Sequence, residues 1–121
     1  MDIRPKTIFC DIDGTLLQHF PPTRNRNFNI HGAEVLPGTL EKLLEWEKKG
    51  YNLILTTGRR ESMRKWTEEQ LNDLGIVYDQ LIMGIGGGVR VLINDYKPES
   101  TEETAVAITI KRDVGIGKID I

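Results

Sequence analysis

Two aspartates separated by one residue, Asp11 and Asp13, follow directly on a short apolar run, Thr7-Ile8-Phe9-Cys10. Residues two apart on an extended chain project to the same side. Two carboxylates placed this way repel each other unless a cation or a proton lies between them. Magnesium, a hard cation that prefers oxygen ligands, suits such a pair. Gly14 then allows the chain to turn sharply. An isolated Asp-x-Asp is equally the signature of a turn or a helix cap, so other residues must decide. A second apolar run, Asn52-Leu53-Ile54-Leu55, ends at Thr56-Thr57-Gly58-Arg59-Arg60. It offers a hydroxyl, and the N–H groups of a helix start that can face an anion. A third run, Val91-Leu92-Ile93, ends at Asn94-Asp95. Three apolar runs thus deliver acids, hydroxyls and arginines at their tips.

Apolar runs of four or five residues read as buried strands of a parallel sheet. Between the first two, a helix is predicted over 37–49, with Pro37 in its first turn, Leu40, Leu43 and Leu44 as its apolar face, and Gly50 as its stop. A second helix is predicted over 61–74, with Met63, Trp66, Leu71 and Leu74 at helical spacing and Gly75 beyond. Strands alternating with helices imply an α/β fold, a three-layer Rossmann-like parallel sheet with helices on both faces. In such sheets ligands bind outside the C-terminal ends of the strands. A third strand is predicted over 79–83, a fourth over 89–93 and a fifth over 106–110. Only Gly84-Ile85-Gly86-Gly87-Gly88 separates the third from the fourth. That is too short for a parallel crossover, so the third strand is expected to be short or at an edge. Residues 113–121 carry no clear signal.

The 121 residues read as a single domain over 1–121, with 39% hydrophobic and 28% charged residues. A net charge of −2 lacks the basic footprint of a nucleic-acid binder. The one cysteine, Cys10, excludes an internal disulfide and fits a reducing, cytoplasmic setting. Its side chain is expected to point away from that of Asp11, into the core. Trp46 and Trp66 read as helix packing. No apolar stretch is long enough to span a bilayer, and no signal peptide is visible.

The run Asp11-Ile12-Asp13-Gly14-Thr15-Leu16-Leu17, after an apolar strand, resembles the first motif of the haloacid-dehalogenase-like (HAD) phosphatases. The resemblance extends over positions 7–97. It implies that Asp11 attacks phosphorus to form an aspartyl phosphate. Asp13 would protonate the leaving oxygen and then activate water. It implies that Thr57, with Thr56 a lesser candidate, hydrogen-bonds a phosphoryl oxygen. Asp95 would join Asp11 and Asp13 as a ligand of Mg²⁺, with Asn94 in place of a second acid. The family's third motif is a lysine or arginine, expected just before the fourth strand, where this chain has glycines. Lys97 is the leading replacement, with Arg90 and Arg59 as the others.

Neither loop that could hold a cap domain is long enough for one, which implies a capless member with an open site. Large substrates, or a homo-oligomer whose neighbouring subunit forms the lid, would fit that site. The loop after the first motif has no acid between Gln18 and Ala33 but carries His19, Arg24, Arg26 and His31, with Phe20 and Phe28. Arg24 and Arg26, together with Thr57, Gly58 and Arg59, are the predicted substrate-binding residues. The function implied is Mg²⁺-dependent hydrolysis of a phosphomonoester, a small phosphorylated metabolite such as a sugar phosphate. Two alternatives stand beside it: a catalytically weak phospholigand-binding or regulatory protein, and a nucleic-acid end phosphatase. A nucleotide-binding Rossmann domain is set aside, because the glycine run precedes a strand instead of opening a helix.

Overall fold

The computed structural model describes residues 4–19 and 34–121. The expectations for Phe20, Arg24, Arg26, Phe28 and His31 fall outside them. The elements are β1 (Thr7–Asp11), α1 (Thr39–Lys48), β2 (Asn52–Thr56), a 3₁₀ turn (Glu61–Met63), α2 (Arg64–Asp73) and β3 (Gln80–Ile82). The strands form one parallel sheet in the order β1-β2-β3. The fold is α/β, with no cap domain among the described residues. β3 is short and lies at the sheet edge, as the length of the following loop required.

The register aligns Cys10 with Leu55, and Leu55 with Leu81. All three are buried. They form one core with Ile12, Leu16, Leu17, Leu43, Trp46, Leu71 and Ile116. The opposite sheet face carries Phe9, which is 53% exposed. In α1 the buried positions are Thr39, Leu43 and Trp46, one helical stripe. Leu40 and Leu44, read as part of the apolar face, are exposed. The hydroxyl of Thr39 donates to the Leu16 carbonyl at 2.9 Å, and this bond fixes the rotation of the helix. In α2 the buried residues are Thr67, Gln70 and Leu71. Met63 precedes the helix and is exposed, and Leu74 is half-buried.

The predicted fourth and fifth strands do not form. Beyond β3 none of the described residues lies in a strand or helix. Val89, Val91, Ile93 and Val106 are all more than three-quarters exposed or at that level. Residues 84–88 cannot span a crossover, and Arg90 curls the chain by donating Nη1 to the Gly86 and Gly88 carbonyls. Asn94 and Asp95 are tied instead to Thr104. Order returns at the tail. Ile116 is buried, and Gly115, at φ +91°, packs so tightly that a Cβ would lie 2.4 Å from the Pro37 carbonyl oxygen. A Cβ on Gly38 would lie 2.2 Å from Gly117 Cα. This close approach, unread in the sequence, clamps the tail to the start of α1.

Candidate active site

β1 ends at Asp11, and the chain turns within five residues. The N–H groups of Thr15, Leu16 and Leu17 all donate to the Ile12 carbonyl, and that of Gly14 to the Leu17 carbonyl. Gly14 adopts φ +87°, where a side chain is strained. The buried side chains of Ile12, Leu16 and Leu17 anchor the turn, so the carboxylates between them stay at the strand tip. The tail buttresses it from outside. The Asp113 N–H donates to the Gly14 carbonyl at 2.8 Å, and the His19 N–H to Asp113 Oδ1 at 2.8 Å.

The two aspartates have different surroundings. Asp13 is gripped by Arg59, whose Nε donates to Oδ2 at 2.9 Å and Nη2 to Oδ1 at 2.7 Å. This is a bidentate, charge-assisted pair. Arg59 is held in turn by α2. Its Nη1 donates to Gln70 Oε1 at 2.7 Å and Thr67 Oγ1 at 3.2 Å, and its guanidinium lies 5.5 Å from the centre of the Trp66 ring. Gln70 and Thr67 are fully buried. On its side chain Asp11 takes a long bond from Thr15 Oγ1, at 3.4 Å, and one from the Ile12 N–H. Burial raises its pKa above the ordinary value of 3.8. The Ile12 N–H pulls it down, Asp13 pushes it up, and Thr15 and then Arg90 pull it down. Burial thus disfavours its charged form.

Thr57 follows β2 and is buried, with its backbone paired to Ile82 and Ile85. Its Oγ1 accepts the Arg59 N–H at 3.1 Å, which leaves the hydroxyl proton free to be donated. Thr57 thus closes a turn and does not cap the following helix, whose first residue follows Arg60. Gly58 is exposed, and a Cβ there would lie 3.1 Å from the Ile85 carbonyl oxygen. Cys10 is a core residue, its thiol pushed up to about 12 by burial and then by Asp11. It is inert.

The structure therefore brings Asp11, Asp13, Thr57, Gly58 and Arg59 to one end of the sheet. Arg90 lies near enough to act on Asp11. Arg59, read as a substrate contact, spends its donors on Asp13, Thr67 and Gln70. Asp95 and Lys97 lie in the exposed segment after β3. A recess lined by Leu92, Asn94, Tyr96 and Glu103 shares no residue with the Asp11 centre.

Among the described residues no three Asp, Glu, His or Cys side chains gather as a metal cage. Asp13 has both oxygens engaged by Arg59, and Asp95 does not join it. Asp11 remains as the open carboxylate. That fits Mg²⁺ in its commoner mode, held by one or two carboxylates with water and substrate phosphate. Sequence reasoning missed the Arg59–Asp13 pair, Gln70, Thr67 and Asp113. Only the arginine beside the Thr-Gly pair carried a signal.

The chain matches the family model of haloacid dehalogenase-like hydrolases over residues 8–106. No curated protein matches it in sequence. Among solved structures it is similar to a chain of the Pnkp1/Rnl/Hen1 complex at 30% identity, with a TM-score of 0.53 over 72% of this chain and 30% of that one. A chain of the Pnkp1/Rnl/Hen1 RNA repair complex matches at 27% identity, TM-score 0.52, over 80% of this chain and 28% of that one. The chain thus spans less than a third of either relative. A Vibrio cholerae crystal structure shares the fold at 20% identity, TM-score 0.52, over 74% of this chain and 79% of that one. No helix among the described residues is long and apolar enough to cross a membrane.

Proposed function

The chain belongs to the haloacid dehalogenase-like hydrolase family, and we propose that within it the protein is a phosphomonoester hydrolase working through an aspartyl phosphate. The observation that carries this reading is the contrast between an open Asp11 and an Asp13 locked two residues away. In the first step an Asp11 oxygen attacks phosphorus and the bond to the ester oxygen breaks. Asp13 gives that oxygen a proton, and the alcohol leaves. Each Asp13 oxygen keeps a second lone pair beside its bond to Arg59, where the proton is carried. In the second step water attacks the aspartyl phosphate, Asp13 takes the water's proton, and inorganic phosphate leaves with Asp11 regenerated.

Thr57 donates its hydroxyl to a phosphoryl oxygen, and Arg90 supplies the positive charge that faces Asp11. Lys97 is the weaker candidate for that charge. Mg²⁺ bound at Asp11 would offset the charge of the phosphoryl group. Asp95 enters the metal site only if the segment after β3 brings it there. The substrate we infer is a small phosphorylated metabolite such as a sugar phosphate, since the net charge of −2 lacks the basic footprint of a nucleic-acid binder. The test is release of phosphate from p-nitrophenyl phosphate with and without Mg²⁺. Activity is expected with the metal, lost on chelation, and reduced at least about 10³-fold in Asp11→Asn. Activity surviving in that variant would remove Asp11 from the mechanism.

A second reading, a phosphatase of nucleic-acid ends, is favoured by the likeness to chains of an RNA repair complex. The net charge of −2 weighs against it. Comparing kcat/KM on a 3′-phosphorylated oligonucleotide with that on sugar phosphates separates the two.

A further inference from the structure

Two polar side chains of α2, Gln70 and Thr67, are wholly buried three residues apart on one helical face. Burying a polar group is unfavourable unless it is hydrogen-bonded. Both accept from the same nitrogen, Arg59 Nη1, at 2.7 Å and 3.2 Å. The other donors of that guanidinium in use, Nε and Nη2, go to Asp13. Four of its five N–H groups are thereby committed. A guanidinium is a rigid planar fork, so fixing Nη1 fixes the directions of Nε and Nη2. α2 thus reaches the candidate acid/base through one arginine.

We propose that Gln70, assisted by Thr67, is a positioning residue for proton transfer by Asp13, acting through Arg59. The proposal rests on the phosphatase reading above. An apolar residue at 70 would leave a buried Arg59 N–H without its partner, and the fork would be free to turn. Asp13 would then remain paired but badly aimed. Misaiming matters most where the leaving oxygen needs a proton. An alkyl phosphate leaves as a strongly basic alkoxide unless protonated, whereas p-nitrophenolate leaves readily without help.

The experiment measures kcat and KM for β-glycerol phosphate and p-nitrophenyl phosphate on the full chain with Mg²⁺. The variants are Gln70→Met, the isosteric Thr67→Val, Asp13→Asn, Arg59→Met and the double variant Gln70→Met with Arg59→Met. In kcat/KM, which reports only the steps up to departure of the alcohol, Gln70→Met is expected to lose about tenfold on the alkyl ester and under about twofold on the aryl ester. Thr67→Val, the gentler change, is expected to show the same selectivity with a smaller loss. In the Arg59→Met background Gln70→Met is expected to add nothing, because both act through one group.

Equal losses on the two esters in both α2 variants, or a loss that persists without Arg59, would overturn the proposal and mark Gln70 as merely structural. If Asp13→Asn discriminates between the esters while the α2 variants do not, the proposal alone fails. If Asp13→Asn lowers kcat/KM alike on both esters, or neither ester is hydrolysed by the wild type, the reading of Asp13 as the acid fails and the proposal with it.

Discussion

The site has two flanks, and they are built in opposite ways. The α2 flank is packed and saturated: Asp13, Arg59, Gln70 and Thr67 form a chain in which nearly every donor is spent. The flank facing residues 84–90 is open. Asp11 takes a long bond from Thr15 and one from the Ile12 N–H, and its nearby cation, Arg90, spends Nη1 on glycine carbonyls. On the proposed mechanism the group that must be aimed is held by neighbours, and the group that attacks has no such grip. The difference teaches that two identical side chains two residues apart acquire different roles from what the fold packs against each.

The largest expected effects come from exchanging the flanks' carboxylates. Asp11→Asn is expected to abolish turnover while leaving the melting temperature unchanged or a few degrees higher, since it removes a charge that the fold disfavours. Asp13→Asn is expected to reduce turnover about 10²–10³-fold and to destabilise by about 2 kcal/mol, because it strands a largely buried guanidinium. Arg59→Met should match it in stability. Thermal melts and steady-state rates on these variants check the contrast. Equal stability changes at positions 11 and 13 would break it.

A smaller effect is expected on the open flank. Arg90→Gln should raise KM for phosphate esters about tenfold and change stability by less than about 0.5 kcal/mol. Lys97→Gln should change KM by less than about twofold. The reverse order would return the third-motif role to Lys97.

The smallest effect is in pH dependence. The folded-state pKa of Asp11 lies above its ordinary 3.8, chiefly through burial. The folded chain thus holds that proton more tightly than the unfolded chain. The associated stability is present below the unfolded pKa and is lost as pH rises through the folded value. The melting temperature of Asp11→Asn relative to wild type, measured without divalent cations, should therefore climb by a few degrees from about pH 3.5 to pH 7. A flat or falling difference would contradict the raised value.

Much of the packed region was legible because short periods carried it. The apolar runs around Cys10 and Leu55, the strand-end Asp11-Ile12-Asp13-Gly14 and the Thr57-Gly58 turn are local patterns, and the first two strands fall where they were expected. Arg59 and Asp13 lie 46 residues apart, so no local pattern links them. Gln70 and Thr67 carried no signal, because polarity alone does not reveal a buried partner. Leu40 was misassigned because the Thr39–Leu16 bond, a tertiary contact, sets the rotation of α1. The run Val91-Leu92-Ile93 has strand-forming side chains, but its connection is too short for a parallel crossover and it stays exposed. The tail was silent because its ordering depends on the approach of Gly115 and Gly117 to Pro37 and Gly38.

The most direct measurement is chemical capture of the intermediate. The protein is mixed with an aryl phosphate and Mg²⁺, quenched in acid, reduced with borohydride and mapped by mass spectrometry. Reduction converts an aspartyl phosphate to homoserine. Homoserine at position 11, with Asp13 unmodified and no homoserine in a control without substrate, is the expected result. Full turnover with an unmodified Asp11, or homoserine at another aspartate, would contradict Asp11 as the nucleophile.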